Sequence, residues 1–167
     1  MKITYSGSKE FELNALDGTF LGKLAYDGWS STKASITTQF AEFYDINTKG
    51  FWTSYISIEK AGAEIAKLQR NWKGQIIIDI LGNDEPMDYL FKSVGFWNES
   101  YVIEDRHKNV LLTLIPDFNW GKLNYDYEIE INPDFQGEID EMKILLAVYC
   151  ANYARRKRRQ KAAAAGA

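Results

Sequence analysis

The sequence predicts a mainly-β domain, in which short antiparallel strands form a closed barrel around one buried, hydrophobic C-terminal helix. Segments with strand patterns recur along the chain, and turn sequences separate them about every 8 to 12 residues. The run of residues 144–154 is apolar on nearly all sides, and a helix of that kind has to be buried. A closed barrel satisfies both observations, because closure removes sheet edges and the inward side chains supply an apolar lining.

Eleven segments have strand character. Asp17-Gly18 is a two-residue hairpin signal, and residues 35–45 alternate with period two, as does the segment 123–131. Residues 64–70 would pass for helix on propensity, but they lie between hairpin signals, so we predict a strand. The predicted strands are residues 2–5, 10–14, 19–26, 35–45, 51–60, 64–70, 75–81, 87–94, 100–105, 109–115 and 123–131. Residues 47–50 and 116–121 are predicted as a turn and a loop.

One helix follows the last strand, and we predict it over residues 138–160. Asn132-Pro133 ends the strand, since proline cannot donate to a ladder and is well placed before a helix. Acidic side chains precede or begin the helix, where the dipole favours them: Asp134, Glu138, Asp140 and Glu141.

Length and composition indicate one soluble domain, residues 1–161, followed by a frayed alanine-rich end, residues 162–167. The single cysteine, Cys150, excludes an internal disulfide framework, and we expect a buried, inert thiol in a reducing compartment. The N-terminus has no signal-peptide hydrophobic region. The apolar run 144–154 is about half of the ~20 residues that cross a bilayer. We therefore expect a cytoplasmic protein without a transmembrane span.

The charge distribution is asymmetric although the formal net charge is only -3. Residues 155–161 contain six Lys or Arg and no acid, whereas the remainder carries 14 basic and 23 acidic residues. Such a cluster can bind phosphates or anionic lipid. It can equally be a favourable charge at the C-terminal end of a helix, and we favour this second interpretation.

The pattern resembles the tubby C-terminal-like superfamily, which includes the LURP-one-related proteins and the phospholipid scramblases. The residues that carry the resemblance are 43–46, 65–69 with Trp72, 101–105 leading to Leu111-Leu112, 125–129, and the helical run 145–149 followed by arginines. The resemblance spans most of the chain and implies a β-barrel of about twelve strands around the helix. It also implies phosphoinositide binding through surface Lys and Arg, although no specific phosphate-ligating set can be matched onto this sequence.

No catalytic constellation is found in the sequence. The only histidine, His107, lies in a polar turn, where a surface role is far more common than catalysis. One His and one Cys cannot supply a zinc site, and neither common Gly-rich phosphate loop occurs. The acid pairs Asp84-Glu85 and Glu104-Asp105 are ordinary turn residues. We therefore expect a non-enzymatic protein without metal or cofactor.

A binding role stays open, with two groups of candidate residues. Lys67, Arg70 and Lys73 cluster near Trp72, although a solvated strand end explains them as well. The second group is Arg155, Arg156, Arg158 and Arg159, which could touch anionic lipid. Four tryptophans could form a sugar- or protein-binding surface, although most large aromatic residues belong in the core: Trp29, Trp52, Trp97 and Trp120.

We thus expect a soluble, non-enzymatic binding or interaction module whose partner is undetermined. The alternative is a module that binds an anionic, phosphoinositide-like headgroup at the inner membrane surface. The acidic body argues against a membrane partner, and it argues against nucleic acid for the same reason. The sequence leaves the oligomeric state open.

Overall fold

The described residues of the chain form a closed barrel of twelve antiparallel strands with one helix inside it. The computed structural model describes residues 1–7, 9–28, 31–50, 54–81, 87–95, 99–135 and 137–166. The strands are β1 (Lys2–Tyr5), β2 (Glu10–Asn14), β3 (Phe20–Tyr26), β4 (Ala34–Thr38), β5 (Phe43–Lys49), β6 (Tyr55–Lys60), β7 (Ala63–Arg70), β8 (Ile76–Ile80), β9 (Met87–Val94), β10 (Ser100–Glu104), β11 (Val110–Asn119) and β12 (Asn124–Ile131).

Every strand pairs with its neighbours in sequence, and β1 closes the barrel by pairing with β12. In this closing ladder Lys2 lies opposite Glu128, and Ile3 lies opposite Tyr127. The up-and-down order requires only short connections between strands, and closure leaves none of the twelve described strands with an unpaired edge. The predicted fold class is therefore confirmed.

The helix α1 (Glu141–Ala165) runs through the barrel. Asp140 caps it, since its carboxylate accepts a hydrogen bond of 2.8 Å from the Lys143 backbone N–H. Side chains 144–151 are all buried, although successive residues point 100° apart around the helix. Burial on every side places this segment in the barrel interior, as predicted. In the part of the chain that the structure describes, no helix combines the length and apolar character needed to cross a membrane.

Several predicted boundaries were wrong. The helix predicted over residues 138–160 spans Glu141–Ala165, so residues 162–165 of the predicted frayed end are helical. The segment 35–45 is two strands, β4 and β5, because residues 39–42 form a tight turn in which Ala41 takes a positive φ of 59°. The Thr38 N–H donates to the Glu42 carbonyl across this turn, at 3.0 Å. Residues 47–49, predicted as a turn, therefore extend β5. Of the predicted strand 51–60, residues 51–53 lie outside the described residues, and the remainder contains β6.

The predicted loop 116–121 was wrong in its first four residues, because β11 continues through Pro116 to Asn119. Pro116 lies opposite Tyr127 in the ladder with β12. On its other side, β11 pairs with β10 only as far as Leu114. A proline is tolerated where one side of a strand is not paired with a neighbouring strand, since no backbone N–H is needed for a hydrogen bond on that side.

Gly22 sets the closest approach between the barrel wall and the helix. A Cβ at this position would lie 2.8 Å from the Thr37 carbonyl oxygen and 3.1 Å from Leu145 Cδ1. We expect Gly22→Ala to lower the free energy of unfolding by about 1–3 kcal/mol, through overpacking against backbone that cannot move freely. Urea denaturation measures the change. Gly28→Ala is the control, because among the described residues its Cβ would meet only Ser31 Cβ, at 3.5 Å. Equal losses of stability in the two variants would contradict the explanation.

Candidate functional site

The two ends of the barrel differ in what surrounds the helix. We call the end where residues 153–161 emerge the mouth. The mouth is also formed by the turns β1–β2, β3–β4, β5–β6, β7–β8, β9–β10 and β11–β12. We call the opposite end, where α1 begins, the base. Strict alternation of strand direction fixes which turns lie at each end.

Charge is segregated between these ends. Among the described residues, the mouth turns together with residues 155–161 carry ten basic and two acidic side chains. The base turns, the connection 132–140 and the first turn of α1 carry three basic and seven acidic side chains among the described residues. The excess acid of the barrel body therefore does not surround the basic cluster. A mouth of one charge sign attracts anions and focuses the field on them.

Arg155 is held by three tyrosines at the mouth. Its guanidinium donates to the Tyr101 hydroxyl at 3.0 Å and to the Tyr127 hydroxyl at 2.9 Å. The same group lies 3.5 Å from the ring centroid of Tyr125, a stacked cation–π contact. Tyr127 in turn donates to Asn152 Oδ1 at 2.8 Å. These contacts give Arg155 a structural role, because they close the barrel above the apolar core.

The other predicted arginines are held less completely. Arg156 donates to the Ser31 carbonyl and lies over the Tyr26 ring, 5.3 Å from its centroid. Arg158 forms an ion pair with Glu99 and donates to Tyr101. Arg159 is exposed, and no hydrogen bond or ion pair of its side chain is found among the described residues. Arg159 is therefore the predicted arginine most available to a ligand.

The arginines do not serve as a charge at the C-terminal end of the helix. Helix α1 continues to Ala165, and its last turn contains no basic residue. The dipole effect falls off within one turn, so Arg155 and Arg156 lie too far from the end to benefit. The interpretation favoured from sequence was wrong on this point, because the alanine-rich segment is helical and the basic residues precede it.

A cavity of about 280 Å³ opens at the mouth beside α1, and we call it the first cavity. Its aromatic walls are Tyr5, Phe11, Tyr26 and Tyr125. Its basic residues are Lys9, Arg155, Arg156 and Arg159. Asn152 also lines it, and its amide donates to the Tyr26 hydroxyl at 3.4 Å. No carboxylate is found among the described residues that line this cavity.

Two further cavities lie around the same helical segment. The second, of about 250 Å³, includes Arg70, Tyr153 and Lys157 in its lining. The third, of about 130 Å³, is lined by Arg70, Lys73 and Arg158 among others. The structure thus brings Arg70 and Lys73 together with the helix arginines, although the sequence separates the two groups.

Lys67 is set apart from this assembly. It alternates with the inward-facing Ala66 and Leu68 of β7, so it lies on the outer wall of the barrel. It forms an ion pair with Glu64 at 3.3 Å and lies over the Tyr55 ring, 5.6 Å from its centroid. These contacts occupy its ammonium group, so we exclude Lys67 from the candidate site.

Large apolar side chains are exposed at the mouth turns. Trp72 of the β7–β8 turn is 90% exposed, and Trp120 of the β11–β12 turn is 80% exposed. Leu123, also in the β11–β12 turn, is exposed and lines the first cavity. Trp29, Trp52 and Trp97 lie outside the described residues. Trp72 and Trp120 thus form part of the surface, which their aromatic character alone did not predict.

The remaining sequence candidates do not assemble into a second site. His107 is exposed in the β10–β11 turn, where its backbone N–H donates to Asp105 at 2.8 Å. Glu104 is buried and pairs with Lys92 at 2.6 Å, while Asp84 and Glu85 lie outside the described residues. The described residues contain no group of three or more His, Cys, Asp or Glu that could hold a metal ion.

Sequence reasoning missed Lys9, Tyr26, Tyr125 and Asn152 as members of the site. They come from the β1–β2 turn, β3, β12 and α1, and only barrel closure brings them together. One signal was present: Asn152 interrupts an otherwise apolar helical run. A polar residue there needs a partner, which it finds in Tyr127 and Tyr26.

The tyrosines at the mouth make stability sensitive to alkali. Burial raises the pKa of Tyr26, Tyr127 and Tyr149. Because their pKa is higher in the folded than in the unfolded state, the protonated hydroxyls contribute to the free energy of unfolding. This contribution is complete below the ordinary tyrosine pKa of ~10 and is lost as the pH rises above it. We expect the free energy of unfolding to fall steeply above about pH 10. Circular dichroism, followed together with tyrosinate absorbance, measures this; ionisation of all tyrosines before unfolding would contradict it.

Comparison with known proteins identifies no relative. No family model, curated protein or solved structure matches the chain.

Proposed function

We propose that the protein is a non-enzymatic binding module that holds an anionic, phosphate-like group in the first cavity. The observation that carries the proposal is the lining of this cavity: four basic side chains and four aromatic rings, with no carboxylate among the described lining residues. A guanidinium recognises phosphate through charge-assisted hydrogen bonds, often two in parallel. The partner is a molecule that carries such a group.

The contacts that each cation makes within the protein support different roles for the cations that line the cavity. Arg155 is committed to tyrosine hydroxyls, so it contributes charge and shape to the cavity wall. Arg159 is not committed in this way and is placed to contact the anion directly. Asn152 and Tyr26 add polar groups at the wall, which would orient a ligand that carries hydroxyls.

An anionic phospholipid headgroup at the inner membrane surface is the second candidate. The observation that favours it is the exposure of Trp72, Trp120 and Leu123 at the same end as the basic cluster. Tryptophan prefers the membrane interface, and each basic residue near an anionic surface contributes about 1 kcal/mol. The acidic side chains at the base of the barrel face away from a membrane that the mouth contacts. The objection raised by the overall negative charge is thus weakened by the segregation of charge.

We also propose that the chain is a cytoplasmic relative of the tubby C-terminal-like superfamily. The twelve strands around a buried helix, the feature that the resemblance implied, support this membership. The single buried thiol, Cys150, supports a reducing compartment.

Titration calorimetry with pyrophosphate tests the first candidate, and vesicle co-sedimentation at two salt concentrations tests the second. We expect pyrophosphate binding that weakens in high salt and is lost when the four arginines are replaced by glutamine: Arg155, Arg156, Arg158 and Arg159. Binding to phosphatidylserine or phosphoinositide vesicles but not to neutral vesicles would select the membrane candidate. No binding to pyrophosphate or to any vesicle would overturn both and leave a protein partner, to be sought by pull-down.

A further inference from the structure

Three consecutive residues of α1 line three different cavities. Lys157 lines the second cavity, Arg158 lines the third, and Arg159 lines the first. This follows from helix geometry, because successive side chains point 100° apart. Their charged ends are therefore separated by roughly 8–10 Å around the helix. The mouth is a ring of three basic cavities with the helix at its centre.

The three cavities share a charge pattern. None of them has a carboxylate among its described lining residues. Arg70 lines both the second and third cavities, so these two are neighbours. Lys73 and Lys92 add charge to the third cavity. Like charges brought this close repel one another, and the repulsion is relieved when counter-charges bind between them.

Several of these cations have no acidic partner among the described residues. The Lys157 ammonium lies over the Tyr153 ring, 5.5 Å from its centroid, and the Lys73 ammonium lies over the Trp72 ring at 5.1 Å. Arg70 donates to the Gly74 carbonyl at 3.4 Å, a weak contact. By contrast, Arg158 and Lys92 are each neutralised in part, by Glu99 and Glu104. Every cavity thus retains at least one cation that lacks a carboxylate partner among the described residues.

We propose that the ligand of the mouth carries two or more phosphate groups and spans the first cavity and at least one neighbouring cavity. This inference rests on the proposed function, since it extends the anion of the first cavity to a multiply phosphorylated molecule. Once one phosphate is held, a second phosphate of the same molecule binds at a high effective concentration. A single phosphate would use one cavity and leave the charge of the others uncompensated.

Titration calorimetry with orthophosphate, tripolyphosphate and inositol hexakisphosphate tests the proposal. The variants are Arg159→Gln for the first cavity, Lys157→Gln for the second, Lys73→Gln for the third, and Lys2→Gln as a control, since Lys2 is exposed and lies at the base end of β1. We expect inositol hexakisphosphate to bind at least about a hundredfold more tightly than orthophosphate. Arg159→Gln, and at least one of Lys157→Gln and Lys73→Gln, should weaken its binding about tenfold, the effect of one charge-assisted contact. Lys2→Gln should leave the affinity unchanged.

The outcomes separate this inference from the proposed function. If Lys157→Gln and Lys73→Gln both leave inositol hexakisphosphate binding unchanged while Arg159→Gln weakens it, the ligand uses one cavity and the inference is overturned, whereas the proposed function stands. If the wild-type protein binds none of the three phosphates, both are overturned. Vesicles containing a phosphatidylinositol bisphosphate provide the membrane-bound form of the same chemistry. Tighter binding to vesicles or to free inositol hexakisphosphate supports the inference in either case and identifies the source of the phosphates.

Discussion

Replacing Leu145 by aspartate is expected to abolish folding. Leu145 lies inside the barrel with 0% of its surface exposed, and it packs close to the barrel wall at Gly22. An aspartate there would be an unpaired buried charge, whose desolvation costs more than the total stability of a domain of ordinary size. The protein should lose its cooperative thermal transition and be recovered in the insoluble fraction.

Leu16→Asp is the matched control for this experiment. Leu16 is 91% exposed in the β2–β3 turn, so the same change should alter the free energy of unfolding by less than about 0.5 kcal/mol. Leu145→Ala provides an intermediate point, with an expected loss of about 2–5 kcal/mol from lost burial and the cavity left behind. A soluble, cooperatively folded Leu145→Asp protein would refute the position of the helix inside the barrel.

The architecture could be predicted because two strong signals agreed. Period-two alternation and turn sequences indicated strands, and a helical run that is apolar on all sides had to be surrounded by apolar side chains. The errors arose where the local signal was misleading. Phe40 and Ala41 continue the alternation of β4, yet they lie in a turn that the positive φ of Ala41 makes possible. Pro116 suggested a loop, although it lies in a strand with one edge outside the ladder.

The candidate site could be predicted only in part, because composition shows which residues are charged but not which of them already have hydrogen-bond or ion-pair partners. Sequence reasoning selected Arg155 and Arg159 equally, although tyrosines hold the first and no described side chain holds the second. The distinction depends on Tyr101 and Tyr127, which lie on β10 and β12 and approach the helix only after the barrel closes. Net charge was misleading about anion binding for the same reason, since it averages the basic side chains at the mouth with the acidic side chains at the opposite end of the barrel.

Substitutions of Arg155 and Arg159 should have different effects: the first should lower stability, and the second should weaken binding. They are four residues apart on α1, so they lie on one face of the helix, and both line the first cavity. Arg155→Gln removes two hydrogen bonds from a charged donor and the stacking on Tyr125. We expect this change to lower the free energy of unfolding by about 2–4 kcal/mol. Denaturant unfolding measures the loss.

Arg159→Gln should have the opposite profile. The side chain is exposed, and among the described residues it has no hydrogen-bond or ion-pair partner, so the free energy of unfolding should change by less than about 0.5 kcal/mol. Its contact with an anion should nevertheless be lost, with pyrophosphate affinity about tenfold weaker. Equal effects of the two variants on stability would show that Arg155 is not held by the tyrosines. An unchanged affinity in Arg159→Gln would remove this residue from the site. Because glutamine and arginine have similar helix propensity, the change does not weaken the helix itself at either position. The contrast therefore compares the two guanidinium groups: that of Arg155 stabilises the closed barrel, and that of Arg159 contacts the ligand.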